Sequence, residues 1–242
     1  MSKILCLWSG PRNISTAMMR SFGSQSDVTC WDEPFFAAYL KQTGLTHPGR
    51  DETLAACETD PDRIVDRILA PVKTRYHFQK HMAHHMIAGM PMEWTADARH
   101  VLLLRHPARV IASYAKGRPN FTADDLGFAR LRTLYAELKD ITGRAPMVMD
   151  SDDILARPRV MLKTMCEDGF NIPFRRTMLK WPAGPRPEDG PWGAYWYDSV
   201  VASTGFGAPR NALPDVIPDH RLIYEGCLDS YESLRRLSVP NL

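Results

Sequence analysis

The stretch KILCLWSGPRNISTAMMRSF, residues 3–22, contains the pattern that decides the fold. It begins with a short unbroken apolar run at residues 4–8, which is typical of a strand buried on both faces of a parallel sheet. The run stops at Ser9, and apolar residues resume with helical spacing at Ala17. The stretch therefore predicts a strand, a tight loop and a helix, in that order.

The loop of this unit has the form of a phosphate-binding loop, because unpaired N–H groups at a helix start bind phosphate. Ser15 and Thr16 are expected to cap the helix. No Lys precedes Ser15, so the GxxxxGK[ST] signature of nucleoside-triphosphate loops is missing. The nearby cation is Arg12, whose guanidinium suits two oxygens of a phosphate or sulfate. Judged alone, the stretch fits equally well an ordinary turn with Arg12 exposed to water.

A second stretch, VLLLRHPARVIASYAK at residues 101–116, repeats the order of strand, turn and helix. Its apolar strand ends at Arg105, and Ser113 follows eight residues later on the predicted helix. With both motifs in hand, the sequence resembles the sulfotransferases that use 3′-phosphoadenosine 5′-phosphosulfate (PAPS). In that family a loop of the approximate form Pro-Lys/Arg-Ser-Gly-Thr-Thr holds the 5′-phosphosulfate, and a strand-end Arg with a Ser eight residues on holds the 3′-phosphate.

The resemblance implies a set of residues that bind PAPS as donor cosubstrate: Pro11, Arg12, Asn13, Ile14, Ser15, Thr16, Arg105 and Ser113. It assigns Arg12 to the bridging and leaving oxygens, as a catalytic residue, and Arg105 with Ser113 to the 3′-phosphate. Asn13 and Ile14 stand where the family usually has Ser and Gly, so the resemblance is partial at that point of the loop.

Two residues are candidates for the base that takes the acceptor's proton. Glu33 follows a short predicted strand at residues 28–31, where several sulfotransferase branches place a carboxylate. Local sequence alone fits equally well a Glu that caps the next helix. Other branches use a His shortly after a Lys at the end of a strand, and here Lys80 and His81 are adjacent. We favour Glu33 and keep His81 as the alternative, since a His titrates near neutral pH.

Further strands are predicted at residues 76–80, 99–104 and 146–149, with helical patterns between them that include a helix around residues 81–86 and a long helix from residue 126 to residue 141. The order indicates an α/β fold of three layers, similar to that of P-loop nucleoside triphosphate hydrolases, with a central parallel sheet flanked by helices. We expect one sulfotransferase-like domain over residues 1–242.

Charge and composition narrow the class of protein. A net charge of +2 without a basic cluster argues against nucleic acid as a partner. Five scattered cysteines indicate reduced thiols, and no apolar run is long enough to cross a membrane. We therefore expect a cytoplasmic enzyme, and a homodimer stays open as its assembly.

Four histidines at residues 77–85 raise the question of a metal, because His81 and His85 have the i,i+4 spacing of ligands on one helical face. The HExxH pattern is absent, and sulfuryl transfer in the resembled family needs no metal, so none is expected. The acidic residues 150–153 are interpreted as helix caps.

These patterns predict an enzyme that moves a sulfuryl group from PAPS to a hydroxyl or amine of a small-molecule acceptor. One alternative is a P-loop kinase that uses ATP and Mg²⁺, with Asp150 as metal ligand. Another is a noncatalytic nucleotide-binding module. Aromatic residues at 195–197 fit either an acceptor pocket or ordinary core packing, and the sequence does not identify the acceptor.

Overall fold

A parallel sheet forms the centre of the protein in a computed structural model, which describes residues 2–209 and 212–239. Its strands are β1 (Lys3–Ser9), β2 (Val28–Asp32), β3 (Tyr76–Met82), β4 (Arg99–Leu104) and β5 (Met147–Asp150). They lie in the order β2-β3-β1-β4-β5, and every pair is parallel. Since β1 is central, the loop after it lies next to the carboxyl ends of β3 and β4.

Helices connect the strands and cover the sheet. The α-helices are α1 (Ser15–Gly23), α2 (Phe36–Thr43), α3 (Arg50–Ala56), α4 (Pro61–Leu69), α5 (Pro107–Tyr114), α6 (Ala123–Leu126), α7 (Phe128–Thr142), α8 (Ser151–Ala156), α9 (Pro158–Thr164), α10 (Gly193–Trp196), α11 (Asp198–Val201) and α12 (Arg221–Arg235). Short 3₁₀ helices lie at Ala83–His85, Glu93–Asp97, Arg176–Leu179 and Pro218–His220, and a π-helix at Met165–Phe170. Among the helices of the described ranges, none combines the length and the apolar character that a membrane crossing requires.

The apolar run of β1 is buried on both faces of the sheet. Cys6 and Trp8 belong to one buried cluster, together with apolar residues from α2, α4, α5, α7 and α12. Leu5 and Leu7 belong to a second cluster, with residues from α1, α9 and the π-helix. Because successive strand residues point to opposite faces, each cluster fills one side of the sheet. The three-layer α/β fold predicted from the sequence is confirmed.

The helix expected around residues 81–86 is not formed, and that part of the sequence prediction was wrong. His81 is the sixth residue of β3, whereas His85 ends a short 3₁₀ helix. The strand continues because β3 pairs with β1 along its whole length, including the pair of Trp8 with His81. His81 and His85 therefore do not share a helical face.

The long helix expected from residue 126 to residue 141 is divided in two. Gly127 has φ of 71°, a left-handed conformation that glycine adopts without steric cost. It ends α6 and precedes α7. The apolar spacing correctly predicts helical residues on both sides of Gly127, but it does not indicate the interruption between them.

Candidate active site

A cavity of about 1080 Å³ lies at the carboxyl ends of the strands, where open α/β sheets bind ligands. Residues at the carboxyl ends of β1, β2, β3 and β4, or in the segments directly after them, contribute to its wall. Of the residues selected from the sequence, the ones that line it are Pro11, Arg12, Asn13, Ile14, Ser15, Thr16, Glu33, Arg105 and Ser113. The structure thus brings together every residue of that selection except His81.

The loop after β1 exposes the start of α1 toward this cavity. Helix α1 begins at Ser15, and Ile14 precedes it without a side-chain cap, so Ser15 and Thr16 are the first helical residues rather than caps. Uncapped N–H groups at a helix start are donors for an anion. Asn13 anchors the loop, because its Nδ2 donates to the Leu103 carbonyl of β4 at 3.1 Å.

Two residues of the loop, Arg12 and Ile14, have a left-handed backbone conformation. Ile14 has φ of 58° and Arg12 has φ of 61°, both in the left-handed region. A β-branched residue is rare there, and such strain concentrates at functional sites. Ile14 therefore adopts, at a steric cost, the type of backbone conformation that a glycine adopts freely.

Arg12, Arg105 and Ser113 are directly connected. Arg105 Nη1 donates to the Arg12 carbonyl at 2.6 Å. Arg12 Nε donates to Ser113 Oγ at 2.9 Å, and its Nη1 donates to the Trp196 carbonyl at 2.9 Å. The resemblance assigns Arg12 and Ser113 to different phosphate groups of the nucleotide, and in the structure the two side chains share a hydrogen bond.

Glu33 lies in a buried network centred on Lys80. The Lys80 ammonium donates to Glu33 Oε1 at 2.6 Å, Asp32 Oδ1 at 2.8 Å and Tyr197 Oη at 2.7 Å. These three bonds use all of its N–H donors. Tyr197 Oη donates to Asp32 Oδ2 at 2.5 Å, and Trp192 Nε1 donates to the same oxygen at 3.2 Å.

The network sets the charge of Glu33. The pKa of Glu33 is raised to about 7, mainly because the carboxyl group is buried. The charge of Asp32 raises this pKa further, whereas the charge of Lys80 lowers it. Burial disfavours the charge of Lys80, but Asp32, Glu33 and Tyr197 raise its pKa well above the usual value. A carboxylate that titrates near neutral pH can serve as a general base.

The two candidate bases lie in different surroundings. His81 is 2% exposed and stacks on Trp8 with ring centroids 4.3 Å apart, and it does not line the cavity. Burial lowers its pKa well below the usual value. His85 does line the cavity, with Nε2 at 4.0 Å from Glu33 Oε2.

Sequence reasoning missed most of the network around Glu33. Asp32 and Trp192 were not selected at all, and Lys80, His85 and Tyr197 were considered in other roles but not as partners of Glu33. One signal was present in the sequence: both predicted strands end near a charged residue, Asp32 for β2 and Lys80 for β3. In the structure these two residues are paired across the neighbouring strands. Nothing in the local pattern indicated that Tyr197, far along the chain, would contact Asp32 and Lys80.

Among the described residues, no three His, Cys, Asp or Glu side chains are grouped as a metal ion would require.

A parallel sheet with an anion-binding type of loop after its central strand places the protein in the P-loop-like α/β class. Within that class the chain belongs to the sulfotransferase domain family, whose model matches residues 2–236.

Curated relatives occur in Arabidopsis thaliana. Branched-chain-amino-acid aminotransferase-like proteins 2 and 1 are each 37% identical to this chain over 235 residues, or 96% of it. The match covers 41% and 42% of those two proteins, so the chain spans about two fifths of their length.

Solved sulfotransferases share the fold at low sequence identity. A sulfotransferase from Alicyclobacillus acidocaldarius superposes with a TM-score of 0.50 and 13% identity, covering 99% of this chain and 97% of that one. The sulfotransferase domain from the curacin biosynthetic pathway gives 0.47 and 14%, with coverage of 100% and 94%. At such identities the first of these neighbours supports the fold alone.

Proposed function

We propose that this sulfotransferase-family chain transfers a sulfuryl group from PAPS to a small-molecule acceptor. The observation that carries the proposal is the convergence of Arg12, Arg105 and Ser113 on the cavity that also contains Glu33. Three groups that suit phosphate oxygens and one base thus share a single space, whose volume of about 1080 Å³ suits a nucleotide with a small acceptor.

The donor nucleotide fits the cationic side of the cavity. We assign the 5′-phosphosulfate to the N–H groups at the start of α1, with the Ser15 and Thr16 hydroxyls, and the 3′-phosphate to Arg105 and Ser113. Arg12 exchanges its bond to Ser113 for one to the oxygens of the phosphosulfate. Guanidinium groups and helix N-termini favour such oxygens because they carry positive charge and several N–H donors.

In the proposed transfer, Arg12 and Glu33 have separate roles. The acceptor oxygen forms a bond to sulfur while the bond from sulfur to the bridging oxygen breaks, and the electron pair leaves with the nucleotide's phosphate. Arg12 stabilises the charge that develops on that phosphate. Glu33 takes the proton of the acceptor, which its pKa of about 7 permits near neutral pH.

The kinase alternative receives no support from the position of Asp150. That carboxylate accepts hydrogen bonds from Tyr231 Oη at 2.9 Å and from the Asp152 N–H at 2.8 Å, and it caps α8. It does not line the cavity, so it is not placed to hold a metal ion beside a nucleotide there.

Three further expectations stay predictions: a cytoplasmic location, a homodimer, and no binding of nucleic acid.

Nucleotide binding tests the proposal. Calorimetry without metal should show that 3′-phosphoadenosine 5′-phosphate binds more tightly than adenosine 5′-phosphate, because only the former uses Ser113 and Arg105. Ser113→Ala should weaken the doubly phosphorylated nucleotide about tenfold and leave the other unchanged, since it removes one hydrogen bond to a charged group.

Ser233→Ala on α12 is the matched control, since Ser233 does not line the cavity and its substitution should leave both affinities unchanged. Equal binding of the two nucleotides by the unmodified protein would contradict the proposal. A direct assay with labelled PAPS and pooled metabolites would then identify the acceptor that gains sulfate.

A further inference from the structure

A second cavity, of about 1220 Å³, adjoins the candidate active site. It is enclosed by the end of α2, the 3₁₀ helix Ala83–His85, the segment between α5 and α6, and the start of α12. Its apolar lining includes Tyr39, Ile87, Phe121 and Ile223. The proposed transfer does not use this space.

His84 lies between the two cavities, and among the described residues it alone lines both. On the active-site side its ring meets the ring of His85 at 4.4 Å, and His85 Nε2 lies 4.0 Å from Glu33 Oε2. On the other side it meets Tyr39, a residue of the second cavity, edge-on at 5.6 Å. His84 therefore separates the space beside Glu33 from the second cavity.

Packing holds the His84 ring in this position. A Cβ at Gly127 would lie 3.4 Å from His84 Nδ1 and 3.5 Å from His84 Cβ, so the main chain at Gly127 lies directly against the histidine. His84 Nδ1 is buried and has no hydrogen-bond partner in the described part of the chain. The ring is thus confined by His85, Tyr39 and Gly127 rather than by a hydrogen bond at Nδ1.

The separating ring carries no charge near pH 7. Burial lowers the pKa of His84 to about 4. The charge of Asp125 opposes this shift, but Asp125 is paired with Arg118 at 3.0 Å. A neutral ring acts on a ligand through its size and shape.

We propose that His84 is a specificity-determining residue, whose side chain closes the active-site cavity toward the second cavity and so limits the length of the acceptor. This inference rests on the proposed function. There the nucleotide occupies the side of Arg12 and Arg105, so the body of the acceptor is confined to the side of Glu33 and His84. A compact acceptor fits this space, whereas the far end of a longer one would clash with the His84 ring.

A series of straight-chain alcohols measures the length that the site accepts. With the protein saturated by 3′-phosphoadenosine 5′-phosphate, the affinities of 1-butanol to 1-decanol are determined by calorimetry. Affinity should rise about threefold to fourfold for each added CH₂ until the chain reaches His84, and then rise no further. The lack of such a limit in the unmodified protein, or no binding of any alcohol of the series, would overturn the inference.

Two substitutions of His84 test whether its size sets the limit. His84→Ala should move the limit to a longer alcohol, because the chain can then enter the second cavity. His84→Leu should keep the limit, since leucine fills a similar volume and no hydrogen bond at Nδ1 is lost. An unchanged limit in His84→Ala, or an equal shift in both variants, would refute the assignment.

His220→Ala is the control for removal of an imidazole ring. His220 lines the second cavity but not the first, and its ring lies 5.0 Å from that of Phe121. The substitution enlarges the second cavity without opening the separation, so the limit should stay where it is. A shift as large as that of His84→Ala would contradict the role of His84.

The nucleotide distinguishes failure of this inference from failure of the proposed function. All three variants should bind 3′-phosphoadenosine 5′-phosphate as the unmodified protein does, which also shows that they are folded. If the unmodified protein does not distinguish that nucleotide from adenosine 5′-phosphate, the proposed function fails. If it does and the results with the alcohols are contrary, only the present inference fails.

Discussion

At the scale of single residues, the setting of Glu33 determines what the site can do. Lys80 fixes one of its oxygens, and Asp32 balances the charge of Lys80. The result is a carboxylate with a pKa of about 7, held in one orientation. A solvent-exposed glutamate would be a much weaker base at the same pH.

Asp32→Asn should move the acid limb of the pH–rate profile. In the proposed function Glu33 acts unprotonated, so turnover should rise as pH increases through about 7. The charge of Asp32 raises the pKa of Glu33, so its removal should shift the limb to lower pH. Initial rates between pH 5 and pH 9 measure the shift.

Glu33→Gln provides the comparison for this experiment. It should lower turnover about 10²- to 10⁴-fold and abolish the limb, while the nucleotide still binds. An unchanged limb in Asp32→Asn would mean that another group limits the rate at low pH.

At the scale of elements, the segment that contains α10 completes the site from a distance in sequence. Trp192 and Tyr197 bond to Asp32, which lies 160 and 165 residues earlier. The carbonyl of Trp196 accepts from Arg12, and its ring stacks against Tyr114 at 5.7 Å. A short helix therefore connects β2, the loop after β1 and the end of α5.

Gly117→Ala should disturb this connection. A Cβ at Gly117 would lie 2.8 Å from Cζ3 of Trp196, so the indole must move. Because the Trp196 carbonyl accepts from Arg12, we expect weaker binding of 3′-phosphoadenosine 5′-phosphate, measured by calorimetry.

The control for that substitution is Gly226→Ala on α12. Its nearest neighbour would be the Cβ of Ala123 at 3.6 Å, an ordinary contact, and alanine favours a helix by about 0.5–1 kcal/mol over glycine. It should preserve nucleotide affinity. Weakening of similar size in both variants would show that Trp196 is not the cause.

Elements with a local signal could be predicted from the sequence, and contacts between distant segments could not. The apolar runs and the loop at Arg12 located β1, β4 and their helices, because periodicity and a strand-ending residue are local properties. His81 was misplaced on a helix, since pairing with β1 keeps it in β3. The bond of Tyr197 to Asp32 depends on packing that no periodic pattern encodes.

At the scale of the whole molecule, two buried clusters share one sheet, so we propose that residues 2–239 form a single domain. Several histidines are buried within it without charge. His100 is one: Trp8 Nε1 donates to its Nδ1 at 3.0 Å, and its Nε2 lies 2.8 Å from the Thr95 carbonyl. Only a neutral ring accepts from Trp8 in this way.

Stability should therefore fall as the solution is acidified. Burial lowers the pKa of His100 to about 4, whereas the unfolded chain takes up the same proton near pH 6.5. The unfolded state binds more protons in this interval, so the free energy of unfolding should decrease as pH falls from 6.5 toward 4. Urea titrations at several pH values measure the slope.

His100→Gln should reduce that slope, because the substituted side chain binds no proton in this range. The variant should also be less stable at every pH, since it disturbs the bond from Trp8. A slope identical to that of the unmodified protein would show that His100 does not contribute to it.

The guanidinium of Arg12 connects two parts of the cavity wall. It donates to Ser113, which we assign to the nucleotide, and it donates to the main-chain carbonyl of Trp196, whose side chain lines the same cavity. If Arg12 turns to the nucleotide, as proposed, and gives up these two bonds, Trp196 loses a contact beside the space left for the acceptor, and such coupling between two ligands is reciprocal. Affinities determined for either substrate alone will therefore differ from those in the ternary complex that turns over.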